Sequence, residues 1–415
     1  MAERSYRVLA VCAHPVQYMS PILRRMAKHQ QLDLKVVYCS LRGAKAGHDP
    51  EFNKTVQWDV PLLDGYDWVE VPNRGSGSES FFGLYNPGLW KLIRGGRYDA
   101  VLIYTGYPRS SFWISYFASK LSRTAFIFGT DATTLVPMTG PKWKRHIKRV
   151  IWPLLYRLAS QVIVPSTGTR DLMRSLGIPD EQITLTPYSV DNDWWLARSR
   201  EIDRVAVRQG WGVGPDTGVV LFCAKLQPWK RPQDLLQAFA HANLGNAVLI
   251  IAGDGPLRGA MEQEAAVLGI ADRVRFLGFV NQTQLPALYT ASDLMVLPSS
   301  YEAFGVVVNE AHMCGCPVVA SNHVGAARDL IAPVNPALIY PCGDVPALAR
   351  ILRDTLQDRS RLAQLGQAAR RHMETWSPRE NIAGTVEAVA IGVDRVRPTP
   401  GCKGDSSLPA SQRLS

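Results

Sequence analysis

Short apolar runs alternate with longer amphipathic stretches along most of the chain. Strand-like runs fall at Arg7–Cys12, Leu34–Tyr38, Ala100–Tyr104, Ala125–Phe128, Val162–Val164 and Ile183–Thr186, with helical patterns between them at Pro15–His29, Ser110–Lys120 and Thr169–Leu176. Such alternation predicts an α/β domain with a doubly wound parallel sheet and helices on both faces. The rhythm fails over residues 191–217. That stretch is polar, and Gly210, Gly212, Gly214 and Pro215 cluster near its end, as expected of a linker with one short helix. The alternation then restarts, with strands at Val219–Ala224, Ala247–Ala252, Val274–Leu277, Leu294–Leu297 and Pro317–Ala320.

The pattern therefore predicts two Rossmann-like domains. Residues 1–190 form the first, 191–217 the linker and 218–375 the second. Trp376-Ser377-Pro378 reads as a break, with Ser377 as N-cap and Pro378 at the first helical position of a terminal helix over 376–392. Residues 393–415 are rich in Pro, Gly, Ser and charge and are expected to be a disordered tail. Parallel sheets bind ligands outside the carboxyl ends of their strands, so two such domains point at one shared cleft.

Composition narrows the picture modestly. A chain of 415 residues with 46% hydrophobic and 20% charged residues suits a two-domain globular protein. The net charge of +10 favours anionic partners, but no nucleic-acid-binding signature is present, and none is expected to bind. Several of the seven cysteines sit in apolar runs, as reduced, buried thiols do. The N-terminal apolar run is too short for a signal peptide, and no stretch reaches the ~20 apolar residues that span a bilayer. A cytoplasmic protein, or one peripheral to an inner membrane face, is expected.

The densest chemistry lies in Ser292–Ala320, SDLMVLPSSYEAFGVVVNEAHMCGCPVVA. A strand ends near Pro298 and a loop carrying Glu302 leads through Gly305 into a helix. Glu310 follows eight residues later, about two turns up. A helix start presents free N–H groups and suits a phosphate. Glu310 stands among Val306, Val307, Val308, Ala311 and Met313, where a carboxylate needs a partner.

Glu-x-Phe-Gly, the second Glu and Cys-Gly-Cys-Pro-Val-Val-Ala together resemble the E-x7-E signature of family 4 retaining glycosyltransferases, which have the GT-B fold. Ala252-Gly253-Asp254-Gly255-Pro256, Val274–Val280, Tyr188-Ser189-Val190-Asp191 and Trp376 resemble further stretches of that family. The resemblance implies a role for each matching position. Glu310 would bind the donor ribose and Glu302 would face the donor sugar. Backbone N–H groups around Phe304, Gly305 and Val306 would hold the diphosphate or the sugar. Val280 would meet the base, and Gly253 and Gly255 would form the donor-side turn. Lys230 matches the family lysine that reaches the diphosphate. Lys225 stands where Arg is usual, and Arg231 is expected to supply the missing fork. The implied reaction moves a hexose-like sugar from a UDP- or GDP-linked donor to an unidentified glycan, lipid-linked or small-molecule acceptor, with retention. Those cations would stabilise the leaving group with neither metal nor cofactor. A nucleotide-sugar 2-epimerase and a non-catalytic nucleotide-sugar-binding protein are the alternatives.

The first domain resembles the family less. Its first strand runs into His14-Pro15-Val16-Gln17, which places His14 at the cleft mouth as an acceptor ligand, a base or a plain loop residue. Phe128-Gly129-Thr130-Asp131 likewise brings Asp131 to a strand end, where it is a candidate base. Asp191-x-Asp193 resembles a metal motif of the other glycosyltransferase fold, but its place in the linker argues against that reading. In Lys142–Leu158, Lys144, Arg145, Lys148 and Arg149 recur on one helical face and Trp143, Ile147, Ile151 and Leu154 on another. That helix either binds an anionic membrane surface or packs its apolar face on the sheet.

Overall fold

Tyr6–Cys12 (β1) and Leu32–Tyr38 (β2) are buried on both faces for most of their length, which fits strands inside a fully parallel sheet. The structure, a computed structural model, describes residues 4–49, 54–136 and 143–398. Helix Ser20–Met26 (α1) joins the two strands. A hairpin of Gly47–Asp49 (β3) and Lys54–Val56 (β4) follows, then Asp67–Glu70 (β5), helix Gly88–Gly96 (α2), Ala100–Ile103 (β6), helix Ser110–Leu121 (α3) and Ala125–Gly129 (β7). Helix Lys144–Tyr156 (α4), Gln161–Val164 (β8), helix Thr167–Ser175 (α5) and Ile183–Leu185 (β9) complete the domain. Its seven strands run in the order β5-β2-β1-β6-β7-β8-β9, and every pairing is parallel.

The stretch 191–217 holds two helices, Asn192–Glu201 (α6) and Arg204–Gly210 (α7), where the sequence predicts one. It packs on the second domain. Arg208 is buried and donates through Nη2 to Asp293 at 2.7 Å. That domain continues with Gly218–Cys223 (β10), Pro232–Ala242 (α8), Ala247–Ala252 (β11), Arg258–Val267 (α9), Val274–Gly278 (β12), Leu285–Ala291 (α10), Leu294–Leu297 (β13), Val307–Met313 (α11), Val318–Ser321 (β14) and Ile339–Tyr340 (β15). The sheet order is β12-β11-β10-β13-β14-β15, again parallel throughout. Helices Val345–Leu356 (α12) and Arg359–His372 (α13) pack behind it.

Pro378–Val396 (α14) crosses back to the first sheet. It starts with a capping box between Ser377 and Glu380 and buries Ile382, Ala388, Val389 and Val393 in the core under β1 and β2. Its last turn passes the expected end at residue 392, so 393–396 are helix and not tail; residues 399–415 lie outside the described residues. Three other expectations shift. The first helix begins at Ser20, which leaves His14–Tyr18 in the loop. Strand β5 and helix α2 were not foreseen, and neither was the β3–β4 hairpin. Two Rossmann-like domains nevertheless face each other, as the alternation predicts.

Candidate active site

Strand order reverses between β1 and β6 in one sheet and between β10 and β13 in the other. The loops after β1, β10 and β13, joined by Asp131 from the loop after β7, meet across a cleft of about 880 Å³, where the two switch points place ligands. On the second domain's side the cleft is lined by Lys225, Lys230, Gly253, Val280, Glu302, Phe304, Gly305, Val306 and Glu310. From the first domain come His14 and Asp131.

The Glu302 loop is held between its neighbours. Ser300 N–H donates to Trp229 O at 2.8 Å, Gly325 N–H to Glu302 O at 3.0 Å and Ala326 N–H to Phe304 O at 2.7 Å. Glu302 pairs with the Lys230 ammonium, both side chains being largely buried. Lys225 lies half-buried beside them. Gly305 has φ +100° and sits against Glu302, Leu297 and Val324, so a side chain there would be both strained and crowded. Among the described residues, the N–H groups of Phe304, Gly305 and Val306 donate to no protein acceptor. These residues line the cleft with Lys230 and Glu302, and an anion bound there would satisfy the amides.

Glu310 is 5% exposed and takes a 2.8 Å hydrogen bond from the Tyr289 hydroxyl. Burial pushes its carboxyl up to about 7, while hydrogen bonds from Tyr289 and Gln282 pull the other way. A carboxylate so desolvated at the end of an open cleft is short of donors, and two adjacent hydroxyls would supply them. Gly253 stands at φ +151° directly over Ala224, where any side chain would strike the Ala224 carbonyl.

Two residues expected in the site lie outside it. Arg231 turns away from the cleft and pairs with Asp234 at 2.7 Å, one helical turn on, so it supplies no fork to a diphosphate. Gly255 packs over the Leu226 backbone and does not line the cleft. Asp191 caps α6 and, with Asp193, pairs with Arg25 at 2.5 and 2.8 Å, so these carboxylates are occupied as a structural ion pair.

On the opposite wall His14 is exposed, with Nδ1 3.1 Å from Pro15 O. Asp131 opens to the cleft. The surrounding walls desolvate its carboxyl and raise its pKa, and the nearby charge of Glu302 adds to the rise. The sequence did not single out the aromatic contacts at the domain junction. Tyr18 meets Tyr188, Tyr188 meets Phe304, and Phe304 stacks on Trp376 at 6.4 Å and 9°. Trp376 Nε1 and Asn309 Nδ2 both donate to Tyr188 O, at 2.8 and 2.9 Å. Trp58 was also missed. It reaches across from the first domain to lie 6.1 Å from the Phe279 ring, beside Val280. Its only sequence signal is a lone Trp in a loop.

Comparison with known proteins agrees with this layout. The family described as glycosyl transferases group 1 matches residues 203–372, and a glycosyl transferase 4-like domain matches residues 1–189. A 2-deoxystreptamine glucosyltransferase from Streptomyces kanamyceticus is 34% identical over 209 residues, 50% of this chain and 53% of that protein. A D-inositol 3-phosphate glycosyltransferase from Catenulispora acidiphila is 32% identical over 238 residues, 55% of each. The chain thus matches about half the length of these curated relatives. HepE from Anabaena, solved with UDP and glucose, shares the fold at TM-score 0.70 and 22% identity, over 93% of this chain and 99% of that one. The glycosyltransferase WaaG does so at TM-score 0.61 and 16% identity, over 94% and 100%. One model covers each domain, and the signature around Glu302 and Glu310 is set in the cleft between them: residues 203–372 belong to the group 1 glycosyl transferases and residues 1–189 to the glycosyl transferase 4-like domains.

Proposed function

We propose that the protein transfers a hexose-like sugar from a nucleoside diphosphate to a hydroxyl acceptor, with retention at the anomeric carbon. The observation that carries this is Glu310. It is a buried carboxylate short of donors, one end of a line through the open amides of Phe304–Val306 to Lys230 and Glu302. Ribose at Glu310, the base at Val280 and the diphosphate at those amides and lysines fit that line. UDP is the favoured nucleotide, since HepE was solved with it. The names of the relatives, a 2-deoxystreptamine and an inositol 3-phosphate transferase, support a cyclitol-like polyol as the acceptor.

The acceptor oxygen bonds to the anomeric carbon as the carbon–oxygen bond to the diphosphate breaks. The acceptor proton leaves on the same face, toward the departing phosphate oxygen. Lys225 and Lys230 neutralise the charge that develops there, a task that needs no metal ion. NMR of the product formed from an α-linked donor, with and without EDTA, tests both points. An α-linkage formed at equal rate is expected. A β-linkage would overturn retention, loss of rate with EDTA would overturn the leaving-group chemistry, and donor consumed without transfer would favour an epimerase.

A second observation concerns α4. Trp152, Leu155 and Tyr156 pack into the core, yet Trp143, Ile147, Val150, Ile151 and Leu154 stay exposed beside Lys144, Arg145 and Arg149. Packing on the sheet therefore accounts for one face only. We infer that the outer face rests on an anionic membrane surface. Lys142 lies outside the described residues, and no described helix is long and apolar enough to cross a membrane.

A further inference from the structure

Residues 57–59 of the first domain follow β4 and form a short strap that reaches the stretch after β12 in the second. Asn281 holds the strap on both sides of Trp58. Its Nδ2 donates to Gln57 O at 2.7 Å, and its Oδ1 accepts from Asp59 N–H at 3.4 Å. Thr283 N–H donates to the Asp59 carboxylate at 3.1 Å, and the Thr283 hydroxyl donates to the same group. With both neighbours fixed, the Trp58 side chain has one place to go. It lies half-buried against Phe279, at 6.1 Å and 59°, and lines the donor cleft together with Val56, Gly253, Val280 and Gln282.

Two observations say what kind of group this corner takes. Carbon atoms in contact stand about 3.5–4.0 Å apart. The 6.1 Å between Trp58 and Phe279 therefore admits no ring between them, and the two form one aromatic wall. The second observation is polar. Among the described residues, the N–H and C=O of Val280 make no hydrogen bond, although Val280 lines the cleft beside that wall. A ligand with a flat apolar face and an edge of donors and acceptors satisfies both. Within a nucleoside diphosphate sugar, that description fits the base.

We propose that Trp58 completes the base site from the opposite domain, with the base stacked on the indole and its edge on the Val280 backbone. This rests on the donor reading above and adds a binding residue to it. Stacking on an aromatic ring tolerates any base, so Trp58 supplies affinity and the Val280 backbone supplies choice. Because Asn281 and Thr283 hold the strap, the base site is whole only when the two domains are together. Base binding and domain closure then favour each other by the same factor. Asp59 is a positioning residue that acts through Trp58.

Calorimetry with UDP, GDP and ADP on the full chain tests this, the comparison being made with whichever of the three the wild type binds most tightly. Trp58→Leu keeps apolar bulk against Phe279 but removes the aromatic face, and should weaken that nucleotide about tenfold. Trp58→Phe keeps an aromatic face and should stay within about threefold of the wild type. Leu and Phe variants of equal affinity would overturn the proposal. Asp59→Ala should weaken binding when Trp58 is present and change little in the Trp58→Leu background, where the strap has no indole to position. Losses that add in the double variant would overturn it too, since the strap would then act without Trp58. A wild type that binds none of the three nucleotides would sink the donor reading and this proposal with it. Wild-type binding with either contrary result among the variants would sink the proposal alone.

Discussion

Glu310 is the residue on which most depends, and its burial makes a two-sided prediction. In the folded state its pKa is about 7, above the ordinary 4.5. Between those values the folded protein holds a proton that the unfolded chain has released. Stability therefore falls as pH rises through that window and stays lower above it. Glu310→Gln removes the penalty, so the apo variant should gain on the wild type as pH rises from 5 to 8, by about 1–3 kcal/mol. The same change should weaken UDP binding roughly ten- to a hundredfold, because a charge-assisted hydrogen bond to ribose is worth ~1.5–3 kcal/mol. Urea titrations at the two pH values and calorimetry with UDP check both. A variant with undiminished affinity would remove Glu310 from the ribose. Residues like this one are legible in sequence because charge stands out in an apolar helix. Arg231 misled for the opposite reason. Its partner Asp234, three residues on, gives it a local ion pair that a motif comparison does not weigh. Tyr289 carried no signal either, since a tyrosine in an apolar run looks like core until its hydroxyl is found at Glu310.

At the scale of elements, the strands buried on both faces were readable as continuous apolar runs. Elements at the margins were not. Strand β5, Asp-Trp-Val-Glu, lies at the edge of its sheet with its outer residues in solvent. Helix α2 ends in Gly95-Gly96 and buries only Leu89 and Ile93. The two helices of 191–217 read as linker because their stability comes from tertiary partners such as Asp293, not from an apolar stripe. Helix α4 is the element whose outer face makes a prediction. Each basic residue near an anionic surface is worth about 1 kcal/mol. Replacing Lys144, Arg145, Lys148 and Arg149 together with Gln should therefore lower co-sedimentation with anionic liposomes at least about tenfold. Binding to zwitterionic liposomes should change little. Equal, negligible sedimentation of both proteins would leave α4 without a membrane role.

The whole molecule is fastened on both flanks of the cleft. On one flank Thr167 N–H donates to Asp329 at 2.9 Å, and Arg328 pairs with Asp171. On the other, Asn281 Nδ2 donates to Gln57 O at 2.7 Å, while the N–H and hydroxyl of Thr283 both reach Asp59. Asp59→Ala removes the last two contacts and leaves both domain cores intact. The free variant should scatter X-rays with a larger radius of gyration than the wild type, and UDP should draw it closed again. Identical scattering curves would mean that the junction alone sets the closure.

The Gln57–Asp59 contact also bears on time. Trp58 belongs to one domain but lies beside Phe279 and Val280 of the other, so with nucleotide bound as proposed its release is expected to wait on Asn281 and Thr283. We predict that product release, and not bond breaking, then limits turnover. Slackening that step with Asp59→Ala would trade grip for throughput, raising kcat and KM together, and a pre-steady-state burst of product seen in the wild type would fade in the variant.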